Sequence, residues 1–340
     1  MESRERFKKA LRGEAVDRVP LFPMLMFFAA NRAGLKYREY ATNGHALAQA
    51  QLQMLERFGL DAVTACSDAF RLSADLGGEM LYPEDRTPSL AKPLIGRESD
   101  LDRLERPDPT RAGSRMNDRL VAVREMARSA HDRTTVLGWV EMPFAEACNL
   151  CGMRNFMVMI LEEPALAHPV LGFVAEVEIL FALAQLEAGA DMIGAGDAAA
   201  SMLSPQQFAQ FAYPYERRVT DAIHGAWGQI KLHICGNTSR LLDQMADVGA
   251  DLYNIDHMVD LGKAKSAFKA RGHCLKGNLD PVEHLMRSTP ERCEARCHEC
   301  IRIAGPQGYM LSAGCEIPAA TPDEVMDAFC RAPQTYSPSS

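Results

Sequence analysis

Eight short apolar runs recur along this chain, each followed by a loop and a longer helical pattern. They are RVPLFPML (18–25), LDAVTAC (60–66), TTVLGWVE (134–141), ADMIGAGD (190–197), QIKLHICG (229–236), ADLYNID (250–256), HCLKGNLD (273–280) and GYMLSAGC (308–315). Their bodies do not alternate cleanly between apolar and polar residues, the mark of strands covered on both faces. Such strands run parallel, and the intervening helices supply the cover. Eight strand–helix units is the number that closes a barrel. The expected fold is α/β: a (β/α)8 TIM barrel in a single domain over residues 1–332, with a flexible polar tail over 333–340. The rival is an open doubly wound sheet, but no Gly-x-Gly-x-x-Gly follows the first run.

The segments between the runs read as helices. GHALAQAQLQMLERFG (44–59) has helical apolar spacing and ends in glycine. The stretch 162–190 is long and mostly apolar, and reads as two helices or one entered through proline. NTSRLLDQMADVGA (237–250) starts on a polar cap, and STPERCEARCHECIRIAG (288–305) carries a strong start signal and a glycine stop. Residues 67–133 exceed what one crossover helix needs, and their proline- and charge-rich part reads as an irregular excursion over the barrel mouth.

Charge narrows the partners. The net charge is −8, from 37 basic and 45 acidic residues, with no basic run, which argues against nucleic acid and anionic membranes. No apolar run reaches the ~18 residues of a membrane span. The charged start MESRERFKKALRGE lacks the apolar core of a secretory signal. A cytoplasmic protein follows, with its ten cysteines as reduced thiols or metal ligands.

In barrels of this kind chemistry sits at the C-terminal ends of the strands. The ends of the runs here carry Asp68, Glu141, Asp197, His233 with Cys235, Asp256 with His257, Asn278 with Asp280, and Cys315 with Glu316. Some of these acids, Asp68 and Asp280 above all, are equally readable as caps of the next helix. His233 and Cys235 stand two apart on a strand and so share a face. With Cys315 at the end of the last run they make a His-Cys-Cys set with one coordination position free, the pattern of a catalytic zinc rather than a closed structural one. The plain alternative is a buried thiol and a satisfied histidine. CEARCHEC, with Cys293, Cys297, Cys300 and His298, looks more metallic, but its cysteines line one face of a helical pattern and read as packing. Cys148 and Cys151 have knuckle spacing without a second pair nearby, and read as helix packing or pocket lining.

Several stretches together resemble the uroporphyrinogen decarboxylase superfamily over nearly the whole chain. They are RERFKKALRGEAVDRVP, EMPFAEACNLCGMRNFM, LEAGADMIGAGDAAASMLSPQQFAQFAYPY, HICGNTSRLLDQMADVGAD, LKGNLDP and SAGCEIPAATP. The decarboxylase branch carries an arginine pair near the first strand; here the nearest match, FFAANRAGLKYREY, offers Arg32 without an equivalent pair. The His-x-Cys-Gly segment and the later Gly-Cys before Glu-Ile-Pro are similar to the cobamide-dependent methyltransferase branch, such as methylcobamide:coenzyme M methyltransferase. That resemblance implies Zn²⁺ held by His233, Cys235 and Cys315, methylcobamide as methyl donor on a corrinoid protein or free, and a thiol or tetrahydrofolate as acceptor. Asp68 and Asp197 are the candidate catalytic acids, Asp256 and Asn278 the candidates for cofactor contact, and Glu141 the candidate fourth ligand. Assembly as a homodimer is left open. A metal-free decarboxylase acting on a tetrapyrrole is the alternative, and a corrinoid- or zinc-binding module without turnover is a third.

Overall fold

The structure is a computed structural model that describes residues 1–130 and 132–337. Seven of the eight runs form one parallel sheet in chain order: β1 (Ala62–Thr64), β2 (Thr135–Glu141), β3 (Met192–Gly196), β4 (Gln229–Ile234), β5 (Leu252–Ile255), β6 (Cys274–Leu279) and β7 (Tyr309–Ala313). Almost every strand position is buried, as expected where helices cover one face and the curled sheet's own interior the other.

The expectation of eight regular strands is corrected at the first run. Residues 20–24 lie between the two outer strands, but as isolated bridges: Leu21 opposite Leu311 and Met24 opposite Glu316. Phe22 N–H donates to Leu311 O (3.1 Å) on one side, and Asp61 N–H donates to Leu21 O (2.9 Å) on the other. The reason lies in the sequence. Pro20 and Pro23 have no N–H to give, so a continuous ladder cannot form. The segment is fastened instead by Asp61, whose fully buried carboxylate accepts from Leu21 N–H, Arg6 and Arg18, all at 2.7 Å.

Inside the curl the side chains stack in layers set by the two-residue alternation. Phe22, Ala62, Leu137, Met192, Leu252, Cys274 and Met310 form the floor, plugged by Phe7 and Leu11 of the helix Ser3–Leu11. One step up the same strands carry Trp139, Gly194, Lys231, Asn254, Lys276 and Ser312; one step further come Glu141, Gly196, His233, Asp256 and Asn278. Apolar floor, mixed middle and polar rim place the chemistry at the strand ends.

Other differences from the expectation have local causes. The helix after β4 is Leu242–Asp247, shorter than 237–250, because residues 236–241 turn sharply, with Gly236 at φ +84° and Arg240 tied to Leu203 O and Ser201 O, each at 3.0 Å. The stretch 67–133 is more ordered than an irregular excursion: it holds helices Arg71–Asp75 and Glu98–Leu101, a hairpin pairing Met80–Leu81 with Ser89–Leu90, and the crossover helix Arg115–Ala130. The apolar stretch after β2 is one helix, Pro164–Glu187. By length and composition alone this 24-residue helix could cross a membrane, with a most apolar stretch at mean hydropathy 1.7, but His168, Glu176 and Glu178 interrupt it and half of that stretch is buried inside the fold. It packs on β2, where Gln185 accepts from Trp139 N–H at 2.7 Å. The last helix, Asp323–Thr335, runs into the expected tail, and residues 338–340 lie outside the described residues.

Candidate active site

β4 and the end of β7 bring the two halves of the His-Cys-Cys set together. His233 Nε2 lies 2.9 Å from Cys235 Sγ, and that sulfur lies 3.5 Å from Cys315 Sγ. The ligand atoms of the three residues all fall within 4.8 Å of one another. A tetrahedral zinc with Zn–S near 2.3 Å separates two thiolate sulfurs by about 3.8 Å, so the sulfur pair needs little adjustment to hold one. His233 Nδ1–H donates to Asn254 O at 3.1 Å, which leaves Nε2 as the lone-pair nitrogen. The two thiols lie within hydrogen-bond reach of each other. Their mutual hydrogen bond pushes Cys315 down to about 3, helped by His233, and pushes Cys235 up. That direction favours the thiolate form at Cys315, the form a metal binds.

The loops are fastened to each other. A Cβ on Gly314 would lie 2.3 Å from His257 N, so only glycine lets the end of β7 press against the segment after β5. Asp256, the candidate for cofactor contact, spends its carboxylate on bracing: Oδ2 accepts from Gly236 N–H (2.9 Å), and Oδ1 accepts from Met258 N–H (3.0 Å) and meets His257 Nδ1 (3.0 Å). Asn278, the second such candidate, donates from Nδ2 to Asp256 O (3.1 Å) and Val259 O (2.8 Å). Both stand at the rim as supports: Asp256 braces the Cys235 loop, and Asn278 braces the segment that carries Asp256.

Glu141 occupies the rim on the other side. Its Oε1 accepts from Trp139 Nε1–H (2.8 Å) and Arg71 Nη2–H (3.1 Å). It is not among the atoms grouped within 4.8 Å, so it stands outside the three-ligand set. Burial pushes its carboxyl up to about 7, against the pull of Arg71 and Trp139. Asp68 is buried behind it, with Oδ2 accepting from Arg115 Nη2–H and Ser67 Oγ–H, both at 2.7 Å. Burial alone would raise Asp68, but Arg115 and then Arg71 outweigh it and hold it below the ordinary range. Asp197 is fully buried, its N–H bonded to His233 O at 2.9 Å. Burial lifts it to about 7, and burial together with the Asp197 charge raises its neighbour Glu216 well above the usual carboxylate range, so a double charge on this pair is disfavoured.

The remaining cysteines sit in packing. Cys293, Cys297 and Cys300 are fully buried on the inner face of the helix Pro290–Ala304, which packs against Asp323–Thr335. Cys148 and Cys151 are buried on the helix Pro143–Cys151. Sequence reading missed Arg71, Arg115, Glu216 and two lysines. Lys231 and Lys276 are 1% and 0% exposed, with Lys231 Nζ 4.5 Å from the Trp139 ring centroid and Lys276 Nζ donating to Asn254 Oδ1 at 3.2 Å. Burial lowers Lys231 to about 8, and burial with the Lys231 charge lowers Lys276 well below the usual lysine range. Strand alternation was the available signal, since Lys231 stands two before His233 on the same face.

The family model described as Uroporphyrinogen decarboxylase (URO-D) matches residues 2–336. Curated relatives named uroporphyrinogen decarboxylase include one from Trichodesmium erythraeum, 27% identical over 97% of this chain and 95% of the relative. Another, from Parasynechococcus marenigrum, is 29% identical over 95% and 94%. Among solved structures, a methyltransferase from Methanosarcina mazei superposes with a TM-score of 0.89 at 25% identity, covering 98% of each chain. A B12-independent methionine synthase from Shewanella sp. W3-18-1 has a TM-score of 0.59 at 11% identity over 93% and 95%, a likeness of fold alone.

Proposed function

The chain belongs to the uroporphyrinogen decarboxylase family, and on that premise we propose that it is a zinc-dependent, cobamide-dependent methyltransferase. It moves a methyl group from a methylated corrinoid, free or carried on a separate corrinoid protein, to a thiol such as coenzyme M or to tetrahydrofolate. The observation that carries this reading is the meeting of His233, Cys235 and Cys315, donors from segments 80 residues apart, at the barrel rim. The likeness to a methyltransferase over the full chain supports it.

Zinc held there supplies an open position at which a thiol is bound as thiolate, a strong nucleophile. The chain's own residues prepare that position. Asn254 O aims the imidazole, Asp256 holds the Cys235 loop, Asn278 holds the segment that carries Asp256, and Gly314 lets the Cys315 segment close in. Asp68 holds Arg115, and its backbone carbonyl accepts from Arg71, which in turn grips Glu141. Met24, Cys66 and Trp139, with Met26, make an apolar wall at the rim. Met202 and Met258, exposed beyond β3 and β5, offer apolar surface to the face of a corrin ring. On this reading residues 20–24 serve as the eighth stave of a barrel.

Metal analysis and methylcobalamin demethylation test the proposal together. About one zinc per chain is expected, with loss of the methyl–cobalt spectrum in the presence of a thiol from a panel or of tetrahydrofolate. Protein that binds no zinc and demethylates nothing overturns it. The decarboxylase reading draws on the names of the curated relatives. Coproporphyrinogen formation by metal-free protein would establish that reading instead.

A further inference from the structure

A thiol that binds as thiolate must give up a proton. Resting on the transferase reading, we propose that Glu141 is a catalytic residue of this site, the base that takes the acceptor thiol's proton at Oε2. Strand register places it. Trp139 and Glu141 of β2 stand opposite Gly194 and Gly196 of β3, and Gly196 stands opposite His233 of β4. The two glycines leave β3 bare on the inner face. A Cβ on Gly194 would lie 2.5 Å from the Trp139 ring, and one on Gly196 would lie 2.9 Å from Glu141 Oε2. Both side chains therefore lie across β3 toward the strand that carries His233. Strands are spaced about 4.8 Å apart, so a glutamate crossing one bare strand approaches the metal site without joining its ligand set.

The two oxygens differ. Oε1 is held by Trp139 and Arg71, while no hydrogen bond reaches Oε2 among the described residues. Glu141 keeps 8% exposure at the rim, and its Oε2 lies over the bare backbone of Gly196. The groups facing it are Arg71, Asp68 and Cys66 from the β1 side, Glu146 and Glu178 from the helices behind, Asp197 beyond β3, and Cys235 beyond β4. Lys231 lies one layer below, against the Trp139 ring. Burial poises the Glu141 carboxyl at about 7, suited to taking a proton near neutral pH. In the step the S–H bond breaks, its electron pair stays on sulfur, and an O–H bond forms at Oε2. The proton passes to solvent after the methylated thioether has left.

The test counts protons. Zinc-loaded protein is titrated calorimetrically with 2-mercaptoethanesulfonate at pH 7.5, in two buffers of different ionisation enthalpy. Wild type should release well under one proton per thiol to the buffer, whereas Glu141→Gln should release about one, at equal zinc content. The same variant should lose about 10²-fold or more in kcat/KM and the acid limb of its pH profile. Trp139→Phe removes one donor to the charged carboxylate, so its acid limb should move to higher pH. Equal proton release from wild type and Glu141→Gln overturns the role of Glu141 and leaves the transferase reading standing. No thiol binding by zinc-loaded wild type overturns the transferase reading itself, and the role of Glu141 with it.

Discussion

Two groups of cysteines invite the same interpretation along the chain and meet opposite fates in the fold. Cys293, Cys297 and Cys300 crowd into eight residues, yet they end as fully buried packing between two helices. Cys235 and Cys315 lie 80 residues apart, yet their sulfurs come within 3.5 Å at the rim, half-buried and beside an imidazole. Spacing of four and three on a helix puts side chains on one face, where a neighbouring helix covers them. Strand ends in a parallel sheet all point to one side of the fold, so distant residues there converge on open space. Closeness in sequence is thus a poorer guide to converging metal-ligand side chains than equivalent position at the ends of strands.

The sharpest way to break this comparison is to delete one sulfur from each group. Cys315→Ala should drop bound zinc from about one per chain to near zero and abolish methyl transfer. Cys297→Ala should keep its zinc and lose roughly 1 kcal/mol of stability in a denaturant titration. Zinc retained in the first variant, or lost in the second, would reverse the assignment.

Glycines sharpen the same contrast between rim and packing. Gly314 has backbone 2.3 Å from where a Cβ would fall, whereas a Cβ on Gly172, inside the helix Pro164–Glu187, would meet nothing within 4 Å. Gly314→Ala should cost about 1–3 kcal/mol and weaken zinc binding, because the Cys315 segment must back away. Gly172→Ala should stabilise by about 0.4–1 kcal/mol with zinc unchanged. Thermal melts with metal analysis on the same samples separate the two outcomes.

Much of this site was legible before folding, for a definite reason. A two-residue repeat on a strand fixes which face a side chain takes, so His233 with Cys235 could be read at once, and Cys315 by its place at the end of the last run. The seven regular strands were legible in the same way. What escaped was set by contacts between segments. That residues 20–24 stay irregular follows from two prolines, which were visible, but the clamp by Asp61, Arg6 and Arg18 was not. Asp256 and Asn278 sit at strand ends as expected, yet only the fold reveals that their polar atoms hold neighbouring loops. Glu216 rides on a helix with no local sign that its carboxyl will meet Asp197.

Carboxyls divide as the thiols do, between those at the rim and those sealed behind it, and pH tests the sealed ones. Glu178 is 3% exposed on the helix behind β2, and burial, partly offset by Arg71, pushes it up to about 8. An acid with a raised pKa binds its proton in the folded state at pH values where the unfolded chain has released it. Between the ordinary glutamate range near 4.5 and about 8, the native state therefore holds more protons, and stability falls as pH rises through that window, then levels off. Asp197 adds to the same slope up to about 7. Glu178→Gln removes one titrating group without adding charge. Its stability, followed by denaturant titration from pH 5 to 8.5, should fall less steeply than that of wild type while zinc content stays the same. An unchanged slope would mean that Glu178 ionises as freely in the fold as in the open chain, and that its depth behind the sheet does not hold its proton.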